Sequence, residues 1–358
     1  MMRASHFRYH AARNAADAAA ALAGAGQRAM LLAGGTDLVP NMKRRQQTPE
    51  VLISLRRADD LRGVTINGET TIGACTTLSD IVRNGELSAQ HPALFRAAGQ
   101  VATPLIRNSA TLGGNLCLDT RCNYYNQNYE WRKAIDFCKK APGPEAVAVP
   151  GVVNDDDGIC WVAPSSPRCW AVSSSDTAPA LIALGARVTL LSEANGEREI
   201  ALEDLFRDDG MAFLTRRPDE VMTSIRIPHT DVRSTYWKLR RRGAFDFPVL
   251  GVAAAIRFGA GGVVEEARMV LGAVASRPLL VNTSALIGEP LTDDRIESFS
   301  AAASGPAKPL DNTDFHMNWR KAMTRAYLAG VLRELRGDDP ATLGLLGRRA
   351  TTVIASAW

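Results

Sequence analysis

No apolar run in the 358-residue chain approaches the roughly 20 residues that a membrane helix needs. The Ala-rich start from Ala15 to Ala23 is interrupted by Asp17 and reads as an ordinary helix. Blocks of like charge are missing too, because 42 basic and 38 acidic residues are scattered along the chain and leave a net charge of only +4. Nothing electrostatic argues for nucleic acid or a membrane surface. The sequence has no Gly-Lys-Ser/Thr phosphate loop, no His-Glu-x-x-His and no nucleophile elbow, so ATP hydrolysis, zinc proteolysis and serine hydrolysis lose their usual signatures. Its five histidines, His6, His10, His91, His229 and His316, show no ligand spacing. A cytoplasmic protein is expected.

What is present is a chain 46% hydrophobic and long enough for two or three domains. Asn14 opens the Ala-rich helix, which ends near Gly24, and Ala29 to Ala33 reads as a buried strand. Strands are expected at Val51 to Leu55, Val64 to Ile66 and Thr70 to Ala74, then helices near Leu78 to Arg83 and Pro92 to Val101. Beyond a Pro/Gly/Asp-rich excursion lie a helix at Ala178 to Leu184, strands at Arg187 to Leu191 and Glu220 to Ile227, and a break at Pro228. After it come strands at Tyr236 to Leu239, Val249 to Arg257 and Glu265 to Val274, then helices near Asp293 to Ala303 and Asp314 to Glu334. This order suggests a mixed first domain, residues 1–228, and a compact α+β domain over about residues 235–338.

Two glycine turns stand out. Leu31-Leu32-Ala33-Gly34-Gly35-Thr36-Asp37-Leu38 places two glycines between a strand and a helix, where backbone amides can approach a diphosphate without a Cβ in the way. Thr36 and Asp37 add a hydroxyl and a helix cap. Thr111-Leu112-Gly113-Gly114-Asn115 repeats the design, so that two turns could grip one diphosphate from both sides; alone, either is equally readable as a plain turn. Gly24-Ala25-Gly26 imitates a dinucleotide fingerprint but precedes its strand, so it is rejected.

These turns, with Thr103-Pro104-Leu105-Ile106-Arg107-Asn108 and Ser175-Asp176-Thr177-Ala178-Pro179-Ala180 in order, resemble the FAD-binding medium subunits of molybdenum hydroxylases, the family of xanthine and carbon monoxide dehydrogenase flavoproteins. The likeness continues through Lys238-Leu239-Arg240-Arg241-Arg242, Phe245-Asp246-Phe247-Pro248 and Leu271-Gly272-Ala273-Val274-Ala275. It implies an α+β fold, with a two-part FAD-binding domain of the vanillyl-alcohol-oxidase/CO-dehydrogenase flavoprotein type and a smaller C-terminal domain. Carried over by position, Leu32 to Leu38 and Thr111 to Asn115 would hold the FAD diphosphate, with Thr103 and Asn108 in the flavin site and Asp176 and Lys238 nearer the ribityl and isoalloxazine parts. A carboxylate at Asp176 suits ribityl hydroxyls, and an ammonium at Lys238 suits charge on a reduced flavin. The plain alternative for these two is a capping Asp and a solvated Lys.

Of six cysteines, Cys117, Cys122, Cys138, Cys160 and Cys169 fall within one stretch, and Cys75 stands apart. A long cytoplasmic chain needs no disulfide staples, so clustering points toward a metal. The stretch resembles the medium subunits of 4-hydroxybenzoyl-CoA reductases, whose cysteine-rich insertion, here about residues 117–170, carries a [4Fe-4S] cluster. Its ligand pattern maps onto Cys122, Cys138, Cys160 and Cys169, with gaps of 15, 21 and eight residues. Zinc is the chemical competitor, although no Cys-x-x-Cys knuckle occurs, and unligated core thiols remain the plain alternative. Cys117, expected in a buried strand, and Cys75 read as core. Tyr124, Tyr125, Tyr129 and Trp131 could shield a cluster or simply pack.

The resemblance implies an electron-transferring subunit with no nucleophile of its own, partnered by a large molybdenum-pterin subunit and a small [2Fe-2S] subunit in a doubled heterotrimer. Electrons would run from a ferredoxin through the [4Fe-4S] cluster and FAD to molybdenum, for reductive dehydroxylation of an aromatic thioester. The alternatives are the FAD subunit of another molybdenum hydroxylase, acting on an aldehyde or N-heterocycle, and a stand-alone flavoenzyme.

Overall fold

The computed structural model of the chain describes residues 3–141, 158–344, 347 and 350. Strand β1 (Arg8–Ala11), helix α1 (Ala15–Ala25), β2 (Ala29–Leu32), α2 (Leu38–Lys43) and β3 (Val51–Ser54) build a parallel sheet of order β1-β3-β2. The Asn14 side chain accepts a hydrogen bond from the Asp17 N–H and so starts α1. Ala15, Ala18, Ala19 and Leu22, three or four residues apart, form the buried face of that helix. Gly26 ends it at φ +64° before β2 begins, so this glycine serves as helix punctuation, while Gly24 lies inside the helix.

Strands β4 (Val64–Asn67) and β5 (Glu69–Gly73) come next, followed by seven short helices: α3 (Leu78–Arg83), α4 (Gly85–Gln90), α5 (Pro92–Gly99), α6 (Pro104–Arg107), α7 (Leu112–Leu116), α8 (Tyr129–Ala134) and α9 (Thr177–Ala183). The chain then returns as β6 (Arg187–Ser192), β7 (Gly196–Ala201) and β8 (Val221–Pro228), completing an antiparallel sheet of order β4-β5-β8-β6-β7. Cys117 does not lie in a strand. The Thr111 hydroxyl accepts from the Gly114 N–H and nucleates α7, and half-buried Cys117 is that helix's C-cap.

A third sheet, β12-β11-β10-β9, is antiparallel, with β9 (Arg233–Leu239), β10 (Leu250–Phe258), β11 (Val264–Gly272) and β12 (Leu279–Val281). Two helices, α10 (Asp293–Ala303) and α11 (Met317–Arg336), follow it. Alternation along β10 shows how the layers join. Val252, Ala254 and Ile256 pack with Phe299 and Leu328 from these two helices, whereas Ala253 and Ala255 join the core that holds Ala97 of α5 and Leu181 of α9. Both faces are covered, so β10 carries an unbroken apolar run. Helix α11 starts later than Asp314 suggests, because Phe315 takes φ +69° and His316 supplies the cap.

The excursion expected through Pro142, Gly143, Pro150, Gly151 and Asp155 to Asp157 lies outside the described residues. Among those described, no helix is long and apolar enough to cross a membrane.

Candidate functional site

Both glycine turns open onto one cavity of about 390 Å³, within the size range of small-molecule sites, roofed by Phe245 and Phe247 from the third-sheet region. The turns also touch each other. A Cβ on Gly34 would lie 1.9 Å from the Ser109 carbonyl oxygen, so only glycine lets the first turn pack on the segment leading to the second. Gly35 sits at φ +71°, where glycine is at ease. Among the described residues the N–H groups of Gly35, Thr36 and Asp37 have no hydrogen-bond partner, as a site awaiting anionic oxygens requires.

The second turn differs. Its amides are engaged internally, Leu112 N–H with the Thr76 carbonyl at 3.0 Å, Gly113 N–H with that of Ala74 at 2.8 Å, and Gly114 N–H with the Thr111 hydroxyl at 3.1 Å. Thr111, Gly113, Gly114 and Asn115 line the cavity. A Cβ on Gly113 would meet the Ala74 carbonyl oxygen at 2.9 Å, so that glycine serves close packing, and free amides belong to the first turn. The Asn115 side chain accepts from Ser175 Oγ at 2.8 Å and Thr177 Oγ1 at 2.7 Å, which ties this turn to the Asp176 segment.

Ala33 to Leu38 and Asp176 line the cavity, and Leu32 stands just behind Gly35. Asp37 precedes α2 but does not cap it with its side chain; instead its carboxylate accepts from Asn41 Nδ2 and pairs with Arg121. Asp176 is buried and accepts from the Tyr236 hydroxyl at 2.8 Å and Lys238 Nζ at 2.9 Å. Burial pushes both members of the pair toward their neutral forms, raising the Asp176 carboxyl and lowering the Lys238 ammonium, while their mutual attraction opposes this. Lys238 does not face the cavity. It stands behind Asp176, and its other bonds go to the Gln100 and Asp246 carbonyls, both at 2.9 Å. Thr103 caps α6 and Asn108 accepts from Ser79 Oγ, each away from the cavity wall.

Sequence reasoning missed Arg121. Its guanidinium lies 4.4 Å from the centre of the Phe247 ring, pairs with Asp37, lines the cavity and keeps a buried Nε–H without a partner. No local pattern marks it. Only its place beside Cys122, at a bridge pairing Arg121 with Val172, could have drawn notice.

That bridge leads into the cysteine segment. Cys122, Cys138, Cys160 and Cys169 are all buried and line one small second cavity with Tyr124, Tyr125 and Lys140. Cys138 is aimed by two consecutive residues in left-handed conformation, Asp136 and Phe137, both at φ 58°, and by a tight pairing with Ala141. Trp161 Nε1 donates to the Phe137 carbonyl at 2.6 Å and so fastens the Cys160 side to the Cys138 side. Cys169 is approached so closely that a Cβ on Gly210 would lie 2.7 Å from its Sγ. Burial pushes the Cys122 thiol up to about 11 and the Cys169 thiol up to about 12, and also raises Cys138. Among the described residues no three His, Cys, Asp or Glu side chains are grouped as a metal-ion site. Cys75 and Cys117 belong to the wall of the larger cavity. Tyr125 is buried, whereas Trp131 is 38% exposed and packs with Tyr124.

Residues 5–230 match the FAD binding domain in molybdopterin dehydrogenase, and residues 234–335 match the CO dehydrogenase flavoprotein C-terminal domain. The carbon monoxide dehydrogenase medium chain of Hydrogenophaga pseudoflava is 29% identical over 323 residues, 88% of this chain and 92% of that one. An aldehyde oxidoreductase FAD-binding subunit from Escherichia coli (strain K12) is 28% identical, covering 87% of this chain and 92% of the other. The solved carbon monoxide dehydrogenase of Hydrogenophaga pseudoflava, in a form lacking the Mo-pyranopterin moiety, has a TM-score of 0.73 at 26% identity over 93% of this chain and 98% of that one. The chain therefore belongs to the molybdopterin-dehydrogenase flavoprotein family: it is an FAD-binding medium subunit of a molybdenum hydroxylase, an oxidoreductase subunit with the two-domain fold of the CO dehydrogenase flavoprotein.

Proposed function

We propose that this chain is the electron-transferring subunit of a molybdenum enzyme of the 4-hydroxybenzoyl-CoA reductase type, holding FAD in the larger cavity and a [4Fe-4S] cluster on Cys122, Cys138, Cys160 and Cys169. On this reading the FAD-binding domain spans residues 1–228, with the iron–sulfur insertion at about 117–170, and the C-terminal domain spans 235–338. The partners are a large molybdenum-pterin subunit, a small [2Fe-2S] subunit and a cytoplasmic ferredoxin as donor, in a doubled heterotrimer.

The observation that carries the reading is the convergence of four buried thiols, from positions up to 21 residues apart in sequence gaps, on one cavity beside the flavin cavity. Soft sulfur donors suit iron–sulfide chemistry, and a cluster holds its thiolates farther apart than a single ion does, because its own iron and sulfide fill the middle. For FAD, the unpartnered amides of Gly35 to Asp37 and the Arg121 Nε–H are donors suited to diphosphate oxygens, and Asp176 is an acceptor suited to ribityl hydroxyls. A bound flavin exchanges electrons singly or in pairs. The chain's own residues bind, orient and exclude water; none is assigned as a nucleophile or general base.

A second reading rests on the relatives, named for carbon monoxide, nicotinate and aldehyde oxidation: a flavin subunit of such a hydroxylase, with the thiols as packing. Anaerobic iron and sulfide analysis of the purified complex separates the two. Cys160→Ala is expected to lose iron and sulfide together relative to wild type while retaining its flavin. Iron content equal to wild type removes Cys160 from the ligand set, and a wild-type complex with no iron and sulfide beyond the [2Fe-2S] subunit's favours the second reading.

A further inference from the structure

Between the two cavities stands a wall of buried charge. Asp119, 5% exposed, lines the larger cavity, and Lys140, 7% exposed, lines the smaller one. They pair at 2.6 Å. Lys140 Nζ also donates to the Gly210 carbonyl at 2.9 Å, the Thr120 carbonyl at 3.2 Å and the Thr120 hydroxyl. It lies 4.6 Å from the centre of the Tyr125 ring. The other Asp119 oxygen accepts from the Tyr125 hydroxyl at 3.1 Å and from Gln47 Nε2 at 3.3 Å. Gln47 lines the larger cavity and Tyr125 the smaller, so the network spans the whole partition.

Stability alone does not account for this arrangement, since burying an ion pair costs desolvation that well-packed apolar residues avoid. Its position does. Lys140 lies two residues beyond Cys138 on the tight turn that closes at Ala141, and the Gly210 that accepts from it also donates its N–H to the Cys169 carbonyl at 2.9 Å. A fixed cation is thus held on the backbone that carries two of the four cysteines, near enough to act through its charge on the Cys138 and Cys169 thiols, in surroundings where little water screens it. A cluster held by these four thiolates would gain one negative charge on reduction, and outer groups of this kind tune the potential of the centre they face.

We propose that Lys140 is a positioning residue that raises the reduction potential of a cluster held by the four thiolates, with Asp119 holding its ammonium in place and linking the cysteine cavity to the flavin cavity. The inference rests on the cluster reading above.

The test uses the purified complex, with anaerobic iron and sulfide analysis followed by a reductive titration monitored by EPR. Lys140→Met is expected to keep its iron and sulfide and to shift the cluster's midpoint to lower potential, while Lys140→Arg stays near wild type. Asp119→Asn removes a negative charge from the same wall and is expected to shift the midpoint upward. Opposite shifts from the two variants are the signature of charge, which a merely structural role would not produce. Should Lys140→Met fail to assemble, Lys140→Gln takes its place in the titration. Midpoints unchanged, or shifted the same way in the Lys140 and Asp119 variants, overturn the inference and leave the cluster reading intact. Wild type with no iron and sulfide beyond what the [2Fe-2S] subunit holds overturns both.

Discussion

Glycine can be required for torsion or for space, and positions 24, 34 and 35 separate the cases. Gly34 needs space, because its Cβ would lie 1.9 Å from the Ser109 carbonyl oxygen, which is backbone and cannot swing aside. Gly35 needs its left-handed torsion, whereas Gly24, inside α1, has nothing within 4 Å of a Cβ. Gly34→Ala is therefore expected to cost about 1–3 kcal/mol by overpacking and to release flavin by parting the two turns. Gly24→Ala is expected to gain about 0.5–1 kcal/mol, because alanine loses less backbone freedom in a helix. Urea unfolding and flavin absorbance of the two purified variants check this. Equal effects would show that the contact at Ser109 relaxes freely.

At the scale of elements, His91 joins three of them. It ends α4, starts α5, and its Nε2 lies 2.8 Å from Thr70 Oγ1 on β5. Burial lowers its pKa from 6.5 to about 4, with His229 adding a smaller push. The native state thus resists a proton that the unfolded chain accepts. The stability this protects is complete above about pH 6.5 and is lost as pH falls toward about 4, on the order of 3 kcal/mol in all. Unfolding midpoints across that range should fall less steeply for His91→Gln than for wild type; parallel curves would clear His91 of the role. Elements with strong local signals were legible in sequence, as the Asn14-capped α1 and the alternation in β5 illustrate. Strands β1 and β7 were not, since the four residues of β1 and the charged Glu-Arg-Glu of β7 carry little apolar pattern. Helix α7 was read as a turn leading to a strand, because five residues with two glycines show no helical period. The glycine turns of the site were legible for the same local reason. Arg121 and Asp119 were not, because only tertiary contacts bring them to the cavity, and Phe247 was read within its motif without a place in the site.

For the whole molecule, Lys238 is the point where the parts are fastened together. From β9 its ammonium reaches Asp176 at the start of α9, the Gln100 carbonyl that ends α5 and the Asp246 carbonyl beneath the Phe245 and Phe247 roof. Position by sequence likeness placed this lysine toward the isoalloxazine, yet its bonds make it a brace for the groups that line the cavity. Lys238→Met leaves a carboxylate, 2% exposed, without its ammonium partner while the Tyr236 hydroxyl still donates to it, and a broken buried pair of this kind costs about 3–5 kcal/mol. Replacing both charges together leaves no unpaired carboxylate. The double variant Lys238→Met/Asp176→Leu is therefore expected to unfold at higher urea than Lys238→Met alone, while both lose flavin because the roof and the Asp176 wall are no longer held. A double variant less stable than the single would mean that Lys238 acts through its three carbonyl and carboxylate bonds independently, and the brace would then be a set of separate contacts without coupling.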